Sequence, residues 1–457
     1  MEKNKINSND FPRVLLVIRT FSIKSGLGIT INNLFGQWPI DNFAISASKI
    51  RIDKNVKWEK FYQIGSQEEK YPFPVKLFNK SKKYSGVIDR SELINNEINT
   101  SSNPVSKNSI IKTFSKKIKS KIKYIGFHLF FSKSYVISNS YFNWIKEFKP
   151  DILYVYPLDY ETAKYMLVIS ERLKIPMVVH IMDEYRKRTI PNLFYYYFER
   201  ENELIFKKIV NQAKLNLSIS DEMSDIFFER FGKKFHAFHN PVDLDLFENH
   251  TKLNWEFSGV FRILHAGNIN LCRDKSIYNI CKAIDLINSE QGYKVILDIF
   301  TPLEIRNTYW GGVYSKFNNV IIHGPIPHVE MINKLSSYDL LLLVVNFNEW
   351  PINYVKYSYS TSTSEYMASG TPILIYASPE VCFVKDAQKG QWAYVVSEED
   401  VDNLKDHILK LINDSNLRER IARKAMNIAK DKDEINKVQS DLKNLFMSIV
   451  EHDNTNN

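Results

Sequence analysis

Cysteine is scarce in this chain. The three among its 457 residues, Cys272, Cys281 and Cys382, stand at no metal-ligand spacing. That excludes a disulfide framework and a Cys/His metal site, and reads as buried thiols in a reducing compartment. Long apolar runs are missing as well. The longest, "LLLLVV" at 340–345, falls far short of the roughly 18 residues a membrane-spanning helix needs. The opening "MEKNKINSND" lacks the apolar core of a secretory signal, so the cytoplasm is the expected compartment. No internal repeat of about 20–50 residues is visible, which argues against solenoids and propellers. Unbalanced charge is absent from nearly the whole chain. The formal charge is +9, and residues 76–123, with twelve Lys and Arg against three acids, carry all of it.

The remaining composition, 44% hydrophobic and 25% charged, is that of a globular protein, and the length predicts two domains. "RVLLVI" at 13–18 is a short apolar run, the mark of a strand covered on both faces. It leads through "SGLG" into a helical pattern, where Gly26 and Gly28 permit a tight turn and close approach of backbone to a ligand. "DILYVY" and "MVVHIM" flank the helical "ETAKYMLVISERLKI", a βαβ signature and hence a parallel sheet. The pattern restarts with "FRILHAG" at 261–267 and continues through "KVILDIF", "NNVIIHGPI", "DLLLLVV" and "TPILIY". The expectation is therefore an α/β protein of two doubly wound, Rossmann-like domains. The first spans 11–250 with a basic insert at 76–125, the second 258–430, and a terminal helix near 434–450 packs back on the first. The polar "ENHTKLNWEFSG" at 248–259 reads as the linker.

One segment stands outside this pattern. Ile111, Phe114, Ile118, Ile122 and Ile125 recur at helical spacing, and seven Lys fall between Lys107 and Lys123 with no acid among them. An apolar stripe backed by lysine suits either an interfacial helix on anionic lipid or a helix packed on its own domain with its lysines in water. Its few aromatics and the neutrality of the rest argue against a nucleic-acid partner.

Four motifs in order narrow the class: "SISDEMSDIFFERFGKKFHAFHNPVDLDLF" at 218–247, "LHAGNINLCRDKS", "VIIHGPIPHVEMINKLSSYDLLLLV" and "SEYMASGTPIL". Together they resemble GT-B glycosyltransferases of the large retaining family (glycosyl transferases group 1, family 4-like, of the bacterial polysaccharide type), over about residues 12–430. The resemblance implies two Rossmann-like domains facing each other across a cleft. It implies transfer of a sugar from a nucleoside diphosphate sugar to a glycan or lipid-linked acceptor, in cell-surface polysaccharide or glycolipid synthesis. The protein would be cytoplasmic, or peripheral at the inner membrane face through 107–125. The donor is a substrate, and no cofactor is implied. No Asp-x-Asp of the kind by which the other major glycosyltransferase fold holds Mn or Mg is read here, so transfer is expected to be metal-independent.

In that family the carboxylate before the small residues accepts hydrogen bonds from the donor's ribose. That position is Glu365, with Ser362, Thr363 and Ser364 offering amides and hydroxyls to the diphosphate from a helix N-terminus. The bland alternative is a surface acid and ordinary caps. Arg273 and Lys275, after Gly267, would neutralise the departing diphosphate, or are exposed loop cations. Asn268 either bonds substrate or shapes its turn. Ile326 in "HGPIP" would wall the base, unless that loop is an ordinary turn. Gly26 and Gly28 would sit opposite the diphosphate. Asp183, at a strand's carboxyl end, would orient or deprotonate the acceptor hydroxyl, or cap a helix. Two departures from the family pattern weigh toward a non-catalytic binding or scaffold subunit. Tyr357 stands where the family often has Glu, and Ser362 where close relatives carry Lys.

Overall fold

The computed structural model describes residues 10–71, 83–94, 134–183, 193–270, 272–303 and 308–455. Most of the basic insert at 76–125, with its proposed amphipathic helix, lies outside them.

In chain order the first half comprises β1 (Val14–Ser22), α1 (Gly26–Leu34), β2 (Phe43–Arg51), β3 (Lys60–Gln63), β4 (Glu69–Lys70), β5 (Gly86–Ile88) and β6 (Ser134–Tyr135). It continues with α2 (Asn139–Phe148), β7 (Ile152–Val155), α3 (Tyr160–Leu173), β8 (Met177–Ile181), α4 (Leu193–Gln212), β9 (Leu215–Ser218), α5 (Asp221–Phe231) and β10 (Phe235–Ala237). The eight-stranded sheet runs β10-β9-β8-β7-β1-β2-β3-β5, and β4 pairs with β6 in a separate ribbon. Every pairing in the large sheet is parallel except β3 with β5. β7 and β8 are buried along their whole length, as strands covered by helices on both faces must be. The βαβ unit read from "DILYVY" and "MVVHIM" is thus β7-α3-β8. Its helix is held by a reciprocal capping box between Asp159 and Thr162. α5 is capped by Ser220, whose hydroxyl accepts from the Met223 amide. Its stop is Gly232, at φ 67°.

The second half comprises β11 (Val260–Ala266), α6 (Asp274–Glu290), β12 (Lys294–Phe300), α7 (Tyr309–Tyr314), β13 (Val320–His323), α8 (His328–Leu335), β14 (Leu340–Val344) and α9 (Glu349–Val355). Then come α10 (Thr363–Ala368), β15 (Ile373–Tyr376), α11 (Cys382–Gly390), β16 (Tyr394–Val396), α12 (Val401–Asn413), α13 (Ser415–Ile428) and α14 (Ile435–Thr455). The sheet order β13-β12-β11-β14-β15-β16 is that of a doubly wound dinucleotide fold, with its switch point between β11 and β14. Alternate residues of β14 enter opposite cores: Leu341 and Leu343 one, Leu340, Leu342 and Val344 the other. Each buried leucine contributes about 1.5–3 kcal/mol relative to exposure, so this strand anchors both layers.

The linker is bolted to the second half. Trp255 is buried and its indole N–H donates to the Gly370 carbonyl at 2.8 Å. Arg418, also buried, donates to the Trp255 carbonyl. Gly370 sits at φ 73°, and a Cβ there would come within 2.6 Å of the Lys252 carbonyl oxygen, so this turn needs glycine for two reasons. The chain crosses back between Asp433 and Ile435. There it pairs with Val242 as a parallel bridge, with Val242 N–H donating to the Asp433 carbonyl at 2.8 Å. α14 then lays Val438, Leu442 and Phe446 into the first core, with the Phe446 ring 5.9 Å from Trp38.

Candidate functional site

Parallel sheets bind ligands outside the carboxyl ends of their strands, at the switch point. In the first sheet that point lies between β1 and β7, in the second between β11 and β14. Contacts between the two sets of loops show that these edges meet. A Cβ on Gly26 would lie 3.1 Å from the Thr361 methyl group. The Asn240 side-chain amide donates to the Thr361 carbonyl at 2.8 Å and accepts from Asn33 of α1 at 3.0 Å. The Ser358 hydroxyl donates to Asp183 Oδ1 at 2.6 Å. The hydroxyl-rich loop before α10 therefore spans the cleft to the glycine turn and to the end of β8.

On the second-domain side, β11 ends at Gly267, whose φ of 142° suits glycine and whose amide donates to the Phe300 carbonyl at 2.9 Å. Asn268 accepts from the Asn270 amide at 2.8 Å, so its side chain shapes the turn. Cys272 holds φ 72°, a costly conformation for a residue with a Cβ. Asn346, after β14, pins the start of α6: it accepts from the Ser276 amide at 3.0 Å and donates to Asp274 at 2.5 Å. Arg273 is half-buried there with no carboxylate in ion-pair range among the described residues. Burial lowers its pKa, with Cys272, Tyr366 and Tyr354 close enough to offset part of that. A desolvated guanidinium without a protein counter-ion is suited to an anionic ligand. Lys275 is exposed in the first turn of α6.

α10 is only six residues long. Ser362 precedes it without capping, its hydroxyl 3.0 Å from that of Ser360. The Thr363 amide donates to the Ser360 carbonyl at 3.0 Å, and its buried hydroxyl has no hydrogen-bond partner. The Ser364 hydroxyl donates to the Asn240 carbonyl at 2.9 Å, so it is committed to the hinge. The amides of Ser364 and Glu365 remain without intrahelical acceptors by helix geometry. Glu365 Oε1 accepts from His328 Nε2 at 2.7 Å, joining the first turn of α10 to that of α8. His328 lies just beyond the "HGPIP" loop, where Ile326 is half-buried against the core.

On the first-domain side, Gly28 is a folding requirement: a Cβ would fall 1.9 Å from the Ser22 carbonyl oxygen. Asp183 is exposed, and its second oxygen accepts from the Tyr156 hydroxyl at 2.9 Å. His180 is core. It is fully buried against the Tyr154 hydroxyl and the Ser218 carbonyl, and burial pushes its pKa down to about 3. Against the sequence reading, three Asp-x-Asp triplets do occur: Asp243–Asp245 and Asp431–Asp433 at the hinge, and Asp400–Asp402 at the start of α12. Asp243 caps its own turn and Asp433 pairs with His239 at 3.2 Å.

Gly26, Gly267, Asn268, Arg273, Lys275, Ile326, Ser362, Thr363, Ser364, Glu365 and Asp183 thus all lie on loops or helix starts at strand carboxyl ends. Sequence reasoning missed His328, Tyr156, Ser358 and Asn240. Only His328 carried any signal, its place right after "HGPIP"; the others are polar residues whose partners are over 100 residues away or lie across a loop.

No family model matches the sequence, and no curated protein matches it. The fold does match solved structures. Sucrose-phosphate synthase from Thermosynechococcus elongatus aligns with TM-score 0.60 at 10% identity, over 96% of this chain and 99% of that one. A glycosyltransferase from Rickettsia africae aligns at 0.55 and 14% identity, over 96% and 98%. Anabaena HepE in complex with UDP and glucose aligns at 0.56 and 11% identity, over 96% and 100%. The chain has the two-domain GT-B fold, over nearly its full length.

Proposed function

We propose that the protein is a glycosyltransferase that moves a sugar from a nucleoside diphosphate sugar to an acceptor. The observation carrying this reading is the meeting of two switch-point edges. Glu365 and a half-buried, carboxylate-free Arg273 stand on one side, and the Gly26 turn and Asp183 on the other. In this reading Glu365 accepts from the ribose. Gly267 and the free amides of α10 approach the diphosphate, and Arg273 and Lys275 offset the charge that develops as it leaves. Asp183 orients the acceptor hydroxyl. Charge neutralisation by these cations makes transfer metal-independent, and the resemblance to retaining enzymes makes retention of configuration and a hexosyl donor the expectation. One neighbour was solved with UDP and glucose, and another, WaaG, is described as involved in lipopolysaccharide biosynthesis. The first favours a nucleotide-sugar donor and the second a glycan or glycolipid acceptor, which with the basic segment 107–125 favours a place at the cytoplasmic membrane face. Among the described residues no helix is long and apolar enough to cross a membrane.

The test is incubation with a panel of sugar nucleotides and acceptors, read by product mass, beside thermal shift with the bare nucleoside diphosphates. Stabilisation by one diphosphate and a product one sugar heavier support the reading. Nucleotide binding without any transfer or hydrolysis favours the scaffold alternative, which Tyr357 and Ser362 motivate. No response to any nucleotide rejects both donor-site readings.

A further inference from the structure

The Glu365 carboxylate is shared between two elements. Oε1 accepts from His328 Nε2 at 2.7 Å, while Oε2 has no hydrogen-bond partner among the described residues. Glu365 is 15% exposed and His328 59%, so the acid is the sheltered member and the imidazole its lid on the solvent side. A sheltered carboxylate beside a diphosphate is unfavourable, because like charges repel more strongly where water is displaced. A protonated imidazole bonded to it offsets that repulsion and fixes its rotamer.

We propose that His328 is a positioning residue of the donor site: it holds Glu365 by Oε1 and leaves Oε2 to accept the ribose 2′-hydroxyl. The inference rests on the reading of Glu365 as the ribose acceptor, and it narrows that reading from two acceptor oxygens to one. The His328 hydrogen bond to Glu365 raises the imidazole pKa, against a smaller opposing effect of burial. Among the described residues Glu365 is the one acid within ion-pair range of His328. α8 itself carries Glu330 and Lys334, and it packs on the turn Leu244–Phe247, which contains Asp245 and is capped by Asp243. His323, in the strand before the loop, is bonded to Asp298 at 2.6 Å. The only acid of α10 is Glu365. The sign follows: the pair is intact below the raised pKa and weakens as pH rises through it. A nucleotide's own terminal phosphate gains charge over a similar range, which strengthens binding, so the two effects are separable by direction.

The experiment compares ribonucleoside with 2′-deoxyribonucleoside diphosphates by calorimetry, at pH 6 and pH 8.5. The wild type, His328→Gln and Glu365→Gln are compared, with melting temperature checked for each. The wild type is expected to prefer the ribo form at pH 6 and to lose part of that preference at pH 8.5. Glu365→Gln is expected to lose most of it at both. His328→Gln is expected to lower it about two- to fivefold at pH 6, the scale of a half-exposed ion pair, and to abolish its pH dependence. Wild-type preference at both pH values in His328→Gln overturns the proposal while leaving Glu365 in place. Binding with no ribo preference in the wild type overturns the ribose reading, and no nucleotide binding at all overturns the proposed function together with this inference.

Discussion

At the scale of single residues, the site is defined by groups whose ordinary partners are missing. Arg273 is the plainest: it is desolvated, and no described carboxylate pairs with it. A positioned cation acting on developing charge contributes about 2.7–4 kcal/mol to a transition state, so Arg273→Ala should lower turnover on the order of a hundredfold. Affinity for the bare nucleoside diphosphate should fall less. Lys275, exposed and free to move, should matter less alone and more in the double variant. Steady-state kinetics beside equilibrium binding separate the two quantities; full activity in the double variant would place the cations elsewhere. Asp183 is the opposite case, with both oxygens engaged by Tyr156 and Ser358. An acceptor hydroxyl has to displace Ser358 or share Oδ1 with it.

At the scale of elements, two glycines two residues apart have different reasons to exist. Gly28 lets α1 start against the end of β1, since any Cβ would overlap the Ser22 carbonyl oxygen. Gly28→Ala should therefore cost about 1–3 kcal/mol of stability, the scale of overpacking, measured by denaturant unfolding. A Cβ at Gly26 would come 3.1 Å from the Thr361 methyl group of the other domain. Gly26→Ala should leave stability within about 0.5 kcal/mol but change the donor KM, because it alters the fit across the cleft. Equal losses of stability in both variants would contradict the assignment of Gly26 to the cleft. The basic segment 107–125 is predicted from sequence alone. Each lysine near an anionic surface adds about 1 kcal/mol. Lys112, Lys116, Lys119 and Lys123 changed together to Glu should abolish sedimentation with anionic vesicles. If the wild type never sediments with them at low salt, the acceptor is soluble and the apolar stripe is core.

At the scale of the whole molecule, the segment 240–242 that leads toward the linker and the returning segment 433–435 are bonded to each other. His239 sits between them, 3.2 Å from Asp433 and 3.3 Å from the Ser364 hydroxyl at the start of α10. Burial opposes its protonation, but Asp433 outweighs that, with help from Asp386 and Asp221, and the pKa is raised. A raised histidine contributes stability that is fully present below the unfolded value near 6.5 and is lost as pH rises through the folded one. The melting temperature of the wild type should therefore fall between pH 6 and pH 8.5 by more than that of Asp433→Asn. Parallel pH profiles for the two would show that the pair does not tie the hinge. Ser364 of the proposed donor helix is bonded to this crossing through His239 and the Asn240 carbonyl.

The sequence by itself determined the architecture. Apolar runs separated by helical patterns demanded two parallel sheets, since strands such as "LLLLV" have no polar face to leave in water. The glycines, Arg273 and Glu365 could be placed at strand ends for the same reason: in doubly wound folds, chain order dictates which loops share an edge. Only the folded chain reveals the pairings inside the second domain's edge and across the cleft and hinge. Glu365 with His328, Asp183 with Ser358 and Asn240 with Thr361 link residues 37, 175 and 121 positions apart. No local propensity or period encodes such contacts. The first joins two loops of one sheet edge; the other two exist because two separately built sheets present their carboxyl edges to each other, with α14 returning to the first core through Leu442 and Phe446.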